Sequence, residues 1–241
     1  MLVIDRTWWG FGGAHGGLLA ASALAAVRPA DRQARLLNVH YLEAVDDRPL
    51  TFETRVDREG RSATVASFTG HQGGQVALFG TAAFGVAQRG PEYAGTPAPR
   101  VPPPHDCDRF TPPRELAAFA QHLEIRPATR DLPLAGGPRA ELVAWMRFLD
   151  GRPLDAESAV VLVDALPPAL FAIWTRPLPV PSAELTVHFG HPEPVDGWAL
   201  VRIRTDHAAG GWAVEDGTVW AADGRLLALA RQSRRVLGGE L

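Results

Sequence analysis

The chain of 241 residues carries 24 basic against 27 acidic side chains, a net charge of −3, and 46% apolar residues, enough for one or two domains with a sizeable core. With no basic tail, the balance argues against nucleic acid or a membrane surface as partner. Every basic residue is Arg, so Schiff-base and pyridoxal-phosphate chemistry and a Walker-type phosphate loop are excluded; the single Cys107 rules out internal disulfides and thiol-rich metal sites and fits the reducing cytoplasm.

In chain order, residues 2–9 read as a short strand, and Gly12 to Gly17 as a turn opening onto an Ala/Leu-rich helix that ends near Val27, before Pro29. The apolar stretch 17–27 has the look of a signal-peptide core, but Asp5 and Arg6 cancel and Trp8 and Trp9 flank it, so we read it as a helix of the fold. Four strand-like runs follow, Leu36–Val45, Leu50–Arg58, Arg61–Gly70 and Gln75–Val86, with turns at Gly60 and Gly73-Gly74. Between Pro91 and Pro113, eight of 23 residues are proline, which predicts an extended linker. Beyond it lie a short helical piece (114–122) and strands near 121–127 and 140–149. Four more strands are predicted near 183–189, 198–205, 212–221 and 225–236.

Between those groups runs the most apolar segment, residues 153–174, with one carboxylate, Asp164, in its middle. Asp155 is a helix N-cap and Pro167-Pro168 end or kink the helix, so Asp164 falls in its last turn. A carboxylate in such surroundings finds hydrogen-bond donors, stays protonated, or faces a cavity holding water or ligand. The 16 residues from Ala159 to Trp174 are too few to cross a bilayer.

The two halves repeat at a nearly constant offset: His40-Tyr41 matches His188-Phe189, Gly60 matches Gly210, and Gly74-Gln75-Val76 matches Gly224-Arg225-Leu226. Each half is a helix followed by four antiparallel strands, which predicts an α+β fold of two tandem units, 1–90 and 114–241, joined by the linker 91–113. Either one continuous sheet or two sheets side by side would satisfy the pattern.

Several motifs occur in a telling order: His15-Gly16-Gly17; Trp145-Met146-Arg147-Phe148; Gly151-Arg152-Pro153-Leu154-Asp155; Asp164-Ala165-Leu166-Pro167-Pro168; Ala183 to Phe189; Gly210 to Gly217; and Asp223-Gly224 followed by Gln232. Over nearly the whole chain this resembles the double hot-dog acyl-CoA thioesterases, including acyl-CoA thioesterase II. The resemblance implies two helices, each wrapped by an antiparallel sheet, and cytoplasmic hydrolysis of acyl-CoA, or of an acyl-carrier thioester, in lipid metabolism. No cofactor is implied, and a homodimer or larger homo-oligomer is compatible with it.

That family's working Asp, Thr and Gln fall on Asp164, Ser182 and Gln232, implying that Asp164 acts as base while Ser182 and Gln232 hold the attacking water. Serine keeps the hydroxyl and loses the methyl that orients it. Strict alternation, however, sets Ser182 with Glu184, Thr186 and His188, away from the apolar face, unless a bulge turns it inward. The His15-Gly16-Gly17 turn implies a backbone amide polarising the thioester carbonyl; the acid that single hot-dog enzymes carry nine residues on is Leu24 here, so one complete site is expected, with the first half lending amides to Asp164.

Blander readings stand beside these. Taken from its surroundings alone, Asp164 braces a neighbouring backbone, the commonest fate of a buried Asp. The Arg231, Arg234, Arg235, Arg202 and Arg204 cluster is either a grip for CoA phosphates or, more simply, a solvated strand edge. No spacing converges metal ligands, and no Gly-x-Ser-x-Gly elbow is present. A non-catalytic acyl-CoA or lipid binder and a hot-dog dehydratase or hydratase are the alternative functions; the latter pairs an Asp with a His a few residues on, and none follows Asp164.

Overall fold

The computed structural model describes residues 1–191 and 193–238. At the N-terminus the predicted strand is instead a bridge from Leu2 to Leu50, a 3-10 turn at Arg6–Trp8 and a tiny hairpin, Trp9–Gly10 (β1) with Gly13–Ala14 (β2). Gly16–Val27 forms helix α1, and four strands follow: Gln33–Tyr41 (β3), Leu50–Glu59 (β4), Ala63–Gln72 (β5) and Gln75–Gly85 (β6). The second half contains Leu123–Pro127 (β7), Glu141–Phe148 (β8), helix Ala156–Val163 (α2), and strands Ser182–Phe189 (β9), Ala199–Ala209 (β10), Trp212–Ala221 (β11) and Leu226–Arg235 (β12).

Of the two arrangements open to the duplicated sequence, the chain adopts a single ten-stranded antiparallel sheet, ordered β4-β5-β6-β3-β9-β12-β11-β10-β8-β7. The halves join where β3 pairs β9, with Leu37 opposite Val187 and Val39 opposite Leu185. The sheet curls around α1 and α2, which lie against each other inside it. Helix α1 is rich in small residues and buried along most of its length up to Leu24, with Ala25 and Ala26 exposed near its end, while α2 is buried from Ser158 to Val163.

Gly17 sets how closely the helices approach. A Cβ there would lie 2.9 Å from the Val160 carbonyl oxygen and 3.0 Å from Cβ of Asp164, so only glycine lets the start of α1 touch the end of α2. Helix α2 is capped as expected, Asp155 accepting from the Ser158 amide at 2.8 Å, but it stops at Val163, so Asp164 is its C-cap residue and not part of its last turn.

The proline-rich segment carries a 3-10 turn, Pro104–Asp106, and a bridge from Phe110 to Ile125. It is strapped to the outer face of the second half's strands: Trp145 Nε1 donates to the Pro102 carbonyl at 2.8 Å and Trp220 Nε1 to that of Thr96 at 2.9 Å. In the predicted helical piece before β7, only Ala118–His122 winds, as a 3-10 helix.

Candidate active site

Asp164 is nearly enclosed, and donors surround its carboxylate. Oδ2 accepts from the Gly17 amide at 2.8 Å; Oδ1 accepts from Gln232 Nε2 at 2.8 Å and from Arg234 Nη2 at 3.3 Å. A carboxylate offers about four acceptor positions. Three are taken, and the residue lines a cavity of about 640 Å³ in which one more hydrogen bond can be made. The start of α1 allows this: a Cβ on Gly16 would sit 2.9 Å from Oδ2.

His15, the N-cap of α1, holds the two halves together. Its Nδ1 accepts from the Leu18 amide at 3.2 Å, so the ring's proton is on Nε2, which donates to the Asp164 carbonyl at 3.0 Å. Burial lowers the pKa of this imidazole below 6.5, against the opposing pull of the Asp164 charge. In acid, the unfolded chain therefore takes up the proton before the folded one. Stability falls as pH drops below 6.5, and the loss continues down to the folded pKa. In a comparison of melting temperature at pH 7 and pH 5, His15→Gln, which keeps an acceptor and a donor, is expected to lose less than wild type; equal losses would refute the assignment.

Of the three residues expected to polarise a carbonyl, the Gly17 amide is thus given to Asp164 and both His15 nitrogens are engaged. The Gly16 N–H has no acceptor among the described residues, and Gly16 lines the cavity. Tyr41 fixes the following peptide, whose N–H is that of Gly17, its hydroxyl donating to the Gly16 carbonyl at 2.9 Å; burial and the nearby Asp164 raise its pKa well above 10, so it stays a phenol. Leu24 is core, as its place in α1 requires.

Ser182 also lines the cavity, for the one reason alternation left open. Strand β12 advances one residue, Ser233 to Arg234, while β9 steps two, Glu184 to Ser182. The extra residue, Ala183, is a bulge that reverses the strand's phase and sets Ser182 beside Arg234. Gln232 is buried and meets the carboxylate directly, but it is not one of the cavity's walls; its Oε1 is buried without a partner among the described residues.

Arg234 is the residue the sequence reading misplaced. It is not on a solvated edge with its neighbours but 5% exposed, and its guanidinium links three groups: Nε to Glu215 Oε1 at 2.7 Å, Nη1 to Ser182 Oγ at 2.9 Å and Nη2 to Asp164. Burial opposes its charge, but Glu215 and Asp164 outweigh burial and raise its pKa. Glu215, 2% exposed, also accepts from the Ala169 amide at 2.5 Å. The signal was present: Arg234 is two residues from Gln232 and so shares its face. The remaining arginines are held by partners on the surface. Arg231 and Arg204 pair with Asp216 and Asp206, while Arg202 and Arg235 lie over Trp220 and Trp212.

Adjoining this cavity is a second one of about 240 Å³, walled almost wholly by apolar side chains such as Phe110, Leu116, Ile125 and Leu142. A carboxylate, a hydroxyl and a free amide thus sit beside a space fit for a hydrocarbon chain.

Comparison with known proteins accords with this layout. Residues 5–85 match the model of the acyl-CoA thioesterase N-terminal domain, and residues 99–236 that of the acyl-CoA thioesterase C-terminal domain. Acyl-CoA thioesterase 2 of Haemophilus influenzae is 26% identical over 253 residues, covering 92% of this chain and 87% of its own. A hot-dog-fold protein of unknown function from Alicyclobacillus acidocaldarius superposes with a TM-score of 0.91 at 27% identity, over 99% of this chain and 92% of that one. The acyl-CoA thioesterase II TesB2 of Mycobacterium marinum, at 24% identity and a TM-score of 0.77 over 99% and 92%, shares the fold. The chain belongs to the acyl-CoA thioesterase family and is a thioester hydrolase of the double hot-dog fold.

Proposed function

We propose that this protein hydrolyses acyl-CoA, with Asp164 as general base and the acyl chain in the apolar cavity. The observation that carries the reading is the juxtaposition of a triply hydrogen-bonded carboxylate with a cavity that shares walls with a hydrocarbon-lined one. A water donating to the remaining acceptor position of Asp164 gives up a proton as its oxygen attacks the thioester carbon. The Gly16 amide is positioned by the α1 start to receive the developing oxyanion, and the collapsing intermediate expels the CoA thiolate, which takes the proton from Asp164. Ser182 accepts from Arg234, which leaves its own O–H to orient the water; Gln232 acts by holding the carboxylate rather than by touching the water.

We further place the protein in the cytoplasm, supported by its one buried, unpaired thiol, Cys107. Among the described residues no helix is long and apolar enough to cross a membrane. The sheet ends at β4 and β7, bridged only at Leu50 and Ile125 among the described residues, would support homo-oligomers. Incubating the purified protein with acyl-CoAs of graded chain length and a thiol-trapping dye tests the main reading: free CoA is expected, and no release at any length would defeat it.

A further inference from the structure

Among the described residues, the two non-glycine residues with positive φ are Phe11 (54°) and Leu134 (63°), and both are walls of the apolar cavity. Phe11 and Gly12 (φ 95°) are the central residues of the β1–β2 hairpin. A two-residue turn with both φ positive favours Asn, Asp or Gly, so phenylalanine there is not chosen for the turn. Strain of this kind persists at ligand clamps and switch regions. The hairpin's backbone is tied down, the Phe11 amide donating to the Leu116 carbonyl at 2.8 Å and Gly10 bridging Ala117. The ring is left half-exposed, edge-on to Phe171 with centroids 6.4 Å apart.

The two cavities share four walls: Phe11, Phe119, Leu166 and Phe171. Three of these belong to the core, at 4%, 7% and 4% exposure for Phe119, Leu166 and Phe171, while Phe11 is 56% exposed. Of the four, Phe11 alone can swing without opening the core.

We propose that the Phe11 ring is the specificity-determining gate between the Asp164 cavity and the apolar cavity, past which a bound acyl chain is threaded and by which acyl groups are sorted by girth. This rests on the acyl-CoA reading above. An acetyl group is short enough to stay on the Asp164 side; a branched or phenyl-ended acyl group must pass the ring.

The test is a series of acetyl-, octanoyl-, isovaleryl- and phenylacetyl-CoA with wild type, Phe11→Ala and Phe11→Trp. Relative to acetyl-CoA, kcat/KM for the branched and phenyl-ended substrates is expected to rise by about tenfold in Phe11→Ala and to fall by about tenfold in Phe11→Trp. A ring serving only to hold the hairpin would change all substrates alike, so equal shifts across the series, or none, overturn the proposal. Phe11→Gly, which removes the ring and relieves the positive φ, guards against a folding artefact and should match Phe11→Ala. Calorimetric Kd values for the corresponding non-hydrolysable S-alkyl-CoA thioethers should show the same ordering. They separate the two ideas: absence of turnover by wild type defeats the hydrolysis reading, while uniform thioether affinities across the variants defeat the gate.

Discussion

Replacing Asp164 by asparagine is expected to lower kcat for acyl-CoA by about 10²- to 10⁴-fold, the range a positioned general base contributes, with KM nearly unchanged. The change is mild for the fold. Asparagine keeps the shape and one acceptor oxygen, which can remain on the Gly17 amide. Its NH₂ then faces Gln232, whose amide can turn to present Oε1, an atom buried without a partner among the described residues of the wild type. The Arg234 Nη2 contact, the longest of the three at 3.3 Å, is the one lost. The melting temperature should therefore fall by only a few degrees while the water loses its base. Thiol release under saturating acyl-CoA, read beside a thermal melt, checks both halves; a variant with wild-type kcat would remove Asp164 from the chemistry and leave it a brace between the halves.

The second large effect belongs to Arg234. Arg234→Met removes a cation held by two carboxylates and leaves Glu215 charged and enclosed, a loss of about 3–5 kcal/mol when one partner of a buried pair is taken away. At about 2–4 °C per kcal/mol for a chain of this size, the melting temperature drops by roughly 6–20 °C. Adding Glu215→Gln should recover most of that loss, because the stranded charge is gone and an amide oxygen can still take the Ala169 N–H. It should not recover kcat, since Ser182 and Asp164 have lost the guanidinium that sets them side by side. Denaturant midpoints and kcat for the single and double variants decide between the roles. A double variant with both restored would make Arg234 a purely structural residue.

These two residues differ in how far they were legible. Asp164 stands out because a lone ionisable group in an apolar run needs a reason wherever the run folds. Arg234 sits among several arginines and reads as surface, although its parity with Gln232 pointed inward. Its partner, Glu215, is on another strand, and nothing along the chain marks the pair. Ser182 shows the limit most plainly: by alternation it faces away from the core, and one extra residue at Ala183, visible only once β9 is set against β12, turns it to the cavity.

What the sequence determined by itself is the local and the repeated. The strands of both halves, the turns at Gly60, Gly73-Gly74, Gly210 and Gly224, the Asp155 cap and the duplication follow from period, turn chemistry and capping, which depend on residues within a few positions of one another. Tertiary structure decided which atoms meet. The bonds that make the site join Asp164 to Gly17, Gln232 and Arg234 across 147, 68 and 70 residues, and the choice of one continuous sheet, the strapped proline segment and the shared walls of the two cavities are likewise contacts between distant segments. Such contacts are set by strand register and helix approach, where a single inserted residue or a missing Cβ moves a side chain from solvent to cavity, and no periodicity along the chain encodes that choice.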